Sequence, residues 1–83
     1  MASENTFRLV IAAVTETKFD GAAVSVTMPG ASGEFTLLPH HEAFVSTLKA
    51  GKIIVKETGG AHKEFAINGG VVECSAGRTV VLL

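Results

Sequence analysis

Cysteine is nearly absent from this 83-residue sequence, in which Cys74 is the only one. A disulfide framework within the chain and a structural zinc site built on paired cysteines are therefore excluded. A lone cysteine in a strand is more often a small buried hydrophobe than a reactive thiol. We therefore assign Cys74 to packing and expect a compartment that tolerates free thiols.

Tryptophan and tyrosine are also absent, and the net charge is only −1. The lysine and arginine residues are scattered singly, so the sequence lacks the basic footprint of a nucleic-acid binder. Its five phenylalanines are not interleaved with basic residues in the way that base-stacking surfaces require. We predict no nucleic-acid partner.

Long apolar runs are missing as well. No run approaches the roughly 18 residues needed to cross a bilayer, and Arg8 interrupts the longest candidate. Residues 1–6 form a polar tail with an acid and no basic residue, unlike a secretory signal or a transit peptide. We therefore expect no direct insertion into a membrane.

Charged residues are few, at 18% of the chain, whereas 47% of the residues are hydrophobic. A typical domain has about a quarter of its residues charged, and one this small buries only about two thirds or less of its extended surface. Large exposed apolar patches usually mark interaction sites. The composition therefore predicts that one or more faces pack against another protein.

Short runs of β type, separated by turn residues, fill the chain from residue 7 to its end, and no segment has a convincing helical pattern. Two glycine-containing segments, Leu48–Gly51 and Asn68–Gly70, are interpreted as turns. The pattern predicts a single all-β domain over residues 7–83 with about nine or ten short strands. The predicted strands are Phe7–Val14, Thr17–Gly21, Ala22–Met28, Glu34–Leu38, Ala43–Leu48, Lys52–Glu57, His62–Ile67, Val71–Cys74 and Arg78–Leu82.

The order of several strings resembles one known family. They are Phe19-Asp20-Gly21, the run from Val24 to Gly30, Gly33-Glu34-Phe35, Leu38-Pro39-His40-His41, Leu48-Lys49-Ala50-Gly51, the run from Ile67 to Glu73, and the run from Thr79 to Leu82. Each string is short and common, but their order and spacing over residues 7–83 are specific. Together they resemble the N-terminal domain of the epsilon subunit of F-type ATP synthase.

This resemblance implies a flattened β-sandwich of two antiparallel sheets. It also implies a non-catalytic subunit, without cofactor or metal, that couples proton or sodium flow to ATP synthesis by docking on the gamma subunit and the membrane c-ring. Its expected location is peripheral, on the cytoplasmic side of the bacterial inner membrane. Family members usually carry C-terminal helices, which do not occur in this sequence. If the protein is naturally this short, we expect no inhibition by helix insertion and no tight ATP binding; the alternative is that the sequence is truncated.

The resemblance also assigns roles to four residues. Glu34 and His41 match positions placed against the c-ring, and Ala13, His41 and Ser46 match positions on the edge that faces gamma. Here His40 replaces the glycine that usually precedes the histidine. Without the resemblance, Glu34 is a solvated turn acid, and the small residues need no functional explanation.

Three other interpretations follow from the residues alone. The cluster His40-His41-Glu42 has ligand types that suit zinc or non-haem iron, but alternate strand residues point to opposite faces, which leaves two ligands together unless His62 or another acid joins them. Ser46 or Ser75 with His41 and an acid could act as nucleophile, base and orienting group, although no nucleophile motif accompanies them. A free-standing β-sandwich that binds a small ligand is the remaining alternative.

Overall fold

The computed structural model describes residues 5–40, 43–75 and 77–83. These residues form an all-β domain, as predicted, with one short 3-10 turn at Thr58–Gly60. No helix in these ranges is long and apolar enough to cross a bilayer. The strands are β1 (Phe7–Ala12), β2 (Thr17–Ala23), β3 (Ser25–Gly30), β4 (Gly33–Leu37), β5 (Phe44–Lys56), β6 (His62–Ser75) and β7 (Arg78–Leu82).

All seven strands belong to one open sheet, in the order β2-β1-β7-β6-β5-β3-β4. Neighbouring strands are antiparallel except for β1 and β7, which run parallel with Arg8 beside Arg78 and Ala12 beside Leu82. The expectation of purely antiparallel sheets is therefore wrong at this pair. The parallel pair places the first strand of the domain beside its last.

Within the described residues, seven strands replace the predicted nine or ten. The predicted turns at Leu48–Gly51 and Asn68–Gly70 are not turns, because each lies inside a long strand, β5 or β6. The two strands pair with each other throughout, from Phe44 opposite Cys74 to Lys56 opposite His62. Four of the predicted strands are thus the two halves of β5 and the two halves of β6.

The long β5–β6 ribbon bends where those turns were predicted. Buried positions in β5 change from even-numbered Leu48 to odd-numbered Ile53, and those in β6 change from Ile67 to Val72 at the same level. Because successive strand residues point to opposite faces, this change means that the inward side of the ribbon switches at the bend.

The bend brings distant strands of the sheet together. The ring of Phe19 on edge strand β2 lies 6.3 Å from that of Phe65 on β6, in an edge-to-face arrangement, although two strands separate β2 from β6 in the sheet order. On the other side, the ring of Phe35 on β4 lies 5.8 Å from that of Phe44 on β5. The buried residues between these contacts form one core: Phe7, Leu9, Ile11, Phe19, Ala23, Val26, Met28, Leu37, Leu48, Ile53, Val55, Ile67, Val72, Cys74 and Val81.

Alternation along the strands explains this core. In β1, Phe7, Leu9 and Ile11 are buried, on one side of the pleat. Full burial of an aliphatic side chain stabilises a fold by about 1.5–3 kcal/mol. The core therefore fixes which side of each strand remains available for other contacts.

Candidate docking surface

The sheet has an apolar outer surface on the side of β1, β7, β6 and the first half of β5. Glu73 on β6 lies opposite Val45 on β5 and opposite Val80 on β7. Val80 lies beside Val10 on β1. Directly paired residues point to the same face, so these four side chains form a row across four strands. A second row contains Thr47, Val71, Leu82 and Ala12. We call the set Val10, Val45, Val71, Val80 and Leu82 the outer apolar face.

Three members of the outer apolar face are among the most exposed large hydrophobic residues that the structure describes. Val45 is 66% exposed, Leu82 57% and Val71 39%. Val80 on β7 and Val10 beside it on β1 are half-buried. Single exposed aliphatic residues are ordinary on protein surfaces, but a contiguous group usually marks an interaction site.

The outer surface beyond the bend has the opposite character. There Lys52 lies opposite Ala66, Ile54 opposite Glu64, and Lys56 opposite His62. The Lys52 Nζ atom lies 3.5 Å from the Glu64 carboxylate, and Ile54 is half-buried. We call Lys52, Lys56, His62 and Glu64 the polar face. The contrast between the two faces means that burial against another protein costs less desolvation on the outer apolar face.

Charged groups border the outer apolar face. Arg8 is neutralised by Asp20, whose Oδ1 atom lies 2.7 Å from Nε and 2.6 Å from Nη2. Glu73 and Arg78 are exposed, and neither forms a salt bridge with any described residue. The outer apolar face therefore includes one unpaired acid within it and one unpaired base at its end.

Glu34 is placed beside this surface. It is exposed near the start of β4 and lies opposite Pro29 in the β3–β4 hairpin. The backbone N–H of Ala31, in the turn of this hairpin, donates to the carbonyl oxygen of Thr47 at 3.0 Å. Since Thr47 belongs to the second row of the outer surface, the hairpin turn with Glu34 adjoins the outer apolar face.

Ala13 lies at the opposite end of the same row. It directly follows Ala12, and its N–H donates to the carbonyl oxygen of Glu16 at 2.7 Å, which closes the β1–β2 turn. The next residue in this turn, Val14, is 96% exposed. The structure thus places Ala13 and Glu34 on opposite borders of the outer apolar face.

The Ser46 side chain lies on the opposite side of the sheet from the outer apolar face. It is paired with Val72, which is fully buried, and therefore points to the inner side of the sheet. Its hydroxyl donates to the carbonyl oxygen of Thr47 at 3.2 Å, and the side chain is half-buried at the edge of β5. Ser46 is close to the outer apolar face in sequence but does not contribute a side chain to it.

His41 and Glu42 lie outside the described residues, so the structure does not place the predicted histidine or complete the histidine and carboxylate cluster. Its described neighbour His40 is exposed and has a φ angle of 68°. This is the left-handed conformation that glycine adopts easily, and glycine is the residue that the resemblance implies at this position. His40 accommodates it at some cost in strain.

A shallow open depression of about 490 Å³ lies at one end of the domain. It contains the exposed Arg8–Asp20 ion pair rather than an enclosed apolar cavity. Small-ligand sites usually enclose most of their ligand in apolar walls. The depression therefore does not favour the alternative of a small-ligand binder. Its lining residues are Thr6, Phe7, Arg8, Asp20, Gly21, Ala22 and Gly77.

The residues of the outer apolar face were not predicted from the sequence, although the composition predicted that such a face exists. The available signal was the pair Val71-Val72 and the run Val80-Val81-Leu82, in which consecutive residues are all apolar. Consecutive apolar residues in a strand place apolar side chains on both faces. Only one of those faces is needed for the core.

Comparison with known proteins identifies the domain. A family model described as the β-sandwich domain of the ATP synthase delta/epsilon chain matches residues 6–83. The ATP synthase epsilon chain of Campylobacter fetus is 35% identical over 79 residues, which are 95% of this chain and 61% of that protein. That of Xanthomonas oryzae is 36% identical over 69 residues, which are 83% of this chain and 49% of that protein. The chain thus spans 49% to 61% of the length of these two relatives.

Two solved assemblies contain chains of the same fold. A chain of the Euglena gracilis mitochondrial ATP synthase superimposes with a TM-score of 0.88 at 21% identity, covering 99% of this chain and 52% of that one. A chain of the central stalk and c-ring of the Tetrahymena thermophila mitochondrial ATP synthase gives 0.75 at 14% identity, covering 98% and 65%. The match over residues 6–83 shows that the chain belongs to the family of ATP synthase delta/epsilon chain β-sandwich domains.

Proposed function

We propose that this chain is a non-catalytic, epsilon-type subunit of the central stalk of an F-type ATP synthase. Its role is to dock on the gamma subunit and the c-ring, so that ion flow is coupled to ATP synthesis. The relatives named ATP synthase epsilon chain and the fold shared with ATP synthase assemblies support this proposal. The single observation that carries it is the exposed outer apolar face.

The proposal includes a two-layer β-sandwich. One layer consists of β2, β1, β7 and the adjoining halves of β6 and β5, and the other consists of the remaining halves with β3 and β4. The bend in the ribbon and the contact between Phe19 and Phe65 support this division. Gamma covers the outer apolar face of the first layer, while the polar face of the second layer remains in water.

Four further residues are proposed as contacts with these partners. Glu34 on the hairpin beside the face is proposed to meet the c-ring, where an exposed carboxylate steers docking more than it adds affinity. Ala13 borders the face and is proposed to contact gamma, as is Ser46 at the β5 edge. His41 is proposed for both contacts on the resemblance alone. The location that accompanies this role is peripheral, on the cytoplasmic side of the bacterial inner membrane.

A charge placed in the outer apolar face tests the proposal. Val71→Glu puts a carboxylate opposite Thr47 and Leu82, where burial against gamma would leave it unpaired. We expect affinity for the gamma subunit from the same genome to fall by at least about 100-fold. The matched control is Ala66→Glu, on the same strand but on the polar face opposite Lys52, which should bind gamma normally.

Isothermal titration or co-purification of the two chains gives the readout, and circular dichroism verifies that both variants are folded. Equal binding of gamma by the Val71→Glu variant and the original chain would exclude the outer apolar face as the docking site. An original chain that does not bind gamma would refute the proposed role.

A further inference from the structure

Glu73 is a carboxylate within the outer apolar face. On β6 it lies between Val45 of β5 and Val80 of β7, its direct neighbours on the same face. Val71, two residues earlier on β6, also points outward. The carboxylate is therefore bordered by aliphatic side chains on three sides.

No basic residue that the structure describes forms an ion pair with Glu73, and this includes Arg78, its diagonal neighbour on β7. The four ion pairs among the described residues are Arg8 with Asp20, Lys18 with Glu16, Lys52 with Glu64, and Lys63 with Glu57. In the isolated chain this is harmless, because the exposed Glu73 carboxylate is solvated by water. Water ceases to be available once another protein covers the face.

Covering an ionised carboxylate costs several kcal/mol unless the partner supplies a charge or hydrogen-bond donors in good geometry. A purely apolar partner surface over Glu73 would therefore bind weakly. We infer that the partner that covers the outer apolar face presents a positively charged side chain to Glu73, which makes Glu73 a specificity-determining residue of the interface. This inference rests on the proposed docking function.

Arg78 restricts the placement of the partner along the strands. It lies two residues before Val80 on β7 and points to the same face, at the end of the apolar rows, and it forms no ion pair with a described residue. A partner displaced by two residues along the strands would bring its cation against this guanidinium. Like charges in contact suppress such a register, so Glu73 and Arg78 together select one placement.

Neutralisation of Glu73 tests the inference. Glu73→Gln keeps the shape and removes the charge, which leaves the cation of the partner without a counter-charge. We expect binding to the gamma subunit from the same genome to weaken by about 10-fold or more, and to depend less on salt than binding of the original chain. Glu73→Lys should weaken it further, because it places two cations in contact.

The matched control is Glu64→Gln on the same strand, which removes a carboxylate from the polar face and should leave gamma affinity unchanged. Equal affinity and equal salt dependence for the Glu73→Gln variant and the original chain would overturn this inference while leaving the proposed docking intact. If the original chain does not bind gamma, the docking proposal itself is overturned instead. The two failures are therefore distinguishable.

Discussion

Cys74 lies on the inner side of β6, where its thiol is buried among aliphatic residues. The hydroxyl of Thr79, its direct partner on β7, donates a hydrogen bond to Sγ at 3.6 Å. Burial raises the pKa of the Cys74 thiol above its ordinary value of 9.0; the hydrogen bond from Thr79 opposes this shift, and the neighbouring Glu73 charge adds to it. The expectation that Cys74 serves packing is confirmed by its position in the core.

This raised pKa predicts a loss of stability in alkaline solution. In the unfolded chain the thiol ionises near 9.0, whereas in the folded chain it remains protonated to higher pH. Its contribution is therefore fully present below pH 9.0 and is lost as the pH rises through the raised pKa of the folded state. The free energy of unfolding, measured by urea denaturation, should fall over this range.

Cys74→Ala provides the comparison, because it cannot ionise. We expect this variant to be less stable at neutral pH, by about 1–2 kcal/mol for the lost packing, but to lose less stability than the original chain as the pH rises. The same decline with pH in both proteins would show that the thiol does not titrate differently in the folded state.

At the scale of elements, the β5–β6 ribbon determines the shape of the domain. β5 pairs with β3 mainly beyond the bend, and β6 pairs with β7 on the other side of the bend, so the ribbon connects all the remaining strands. Gly70 lies at this bend, where a Cβ atom would be 2.6 Å from the backbone carbonyl oxygen of Leu82. The close approach of β6 to β7 thus requires a residue without a side chain.

Gly70→Ala should destabilise the domain by about 1–3 kcal/mol, because the added methyl group can be accommodated only if the backbone of β7 moves. Gly21→Ala is the matched control in another strand, since its Cβ would be 3.6 Å from the nearest heavy atom, on the Phe19 ring. We expect the control to change the free energy of unfolding by less than about 1 kcal/mol, in the stabilising direction. Equal destabilisation by the two changes would contradict the close approach.

The bend also shows what the sequence could and could not predict. Alternation over residues 7–14 predicted β1, but the single strand predicted over Ala22–Met28 is wrong, because β2 ends at Ala23 and β3 begins at Ser25. The segments around Gly51 and Gly69 looked like turns, because a bend with continued strand pairing and a chain reversal use the same residue types. The pairing of Lys49 with Gly69 distinguishes the bend from a chain reversal, and that contact joins positions far apart in the chain.

The same limit applies to the docking surface. Composition predicted that an apolar face exists, because this excess of apolar residues does not depend on the fold. It could not predict that Val45, Val71 and Leu82 share that face, since β1 and β7 pair in parallel and β5 reaches the same surface only through β6. The resemblance pointed to Ser46, whose side chain the structure places on the inner side.

At the scale of the whole molecule, the two outer faces differ in the free-energy change that accompanies their removal from water. The polar face carries an ion pair and further charged residues, while the outer apolar face exposes Val45, Val71 and Leu82. Apolar area contributes about 25 cal/mol per Å² when it is removed from water, so burial of this face stabilises any complex that covers it. Burying the polar face would instead require desolvation of its charges.

The isolated chain should therefore bind a hydrophobic fluorescent dye such as anilinonaphthalene sulfonate on the outer apolar face. Val45→Thr together with Leu82→Thr should reduce the fluorescence while leaving the fold intact, because threonine retains a good strand propensity. Val14→Thr is the control, since Val14 is 96% exposed but stands on a turn outside this face. Gamma should displace the dye from the original chain, because both require the same surface. Undiminished dye fluorescence in the double variant, or in the complex with gamma, would show that the exposed apolar surface of this domain lies elsewhere.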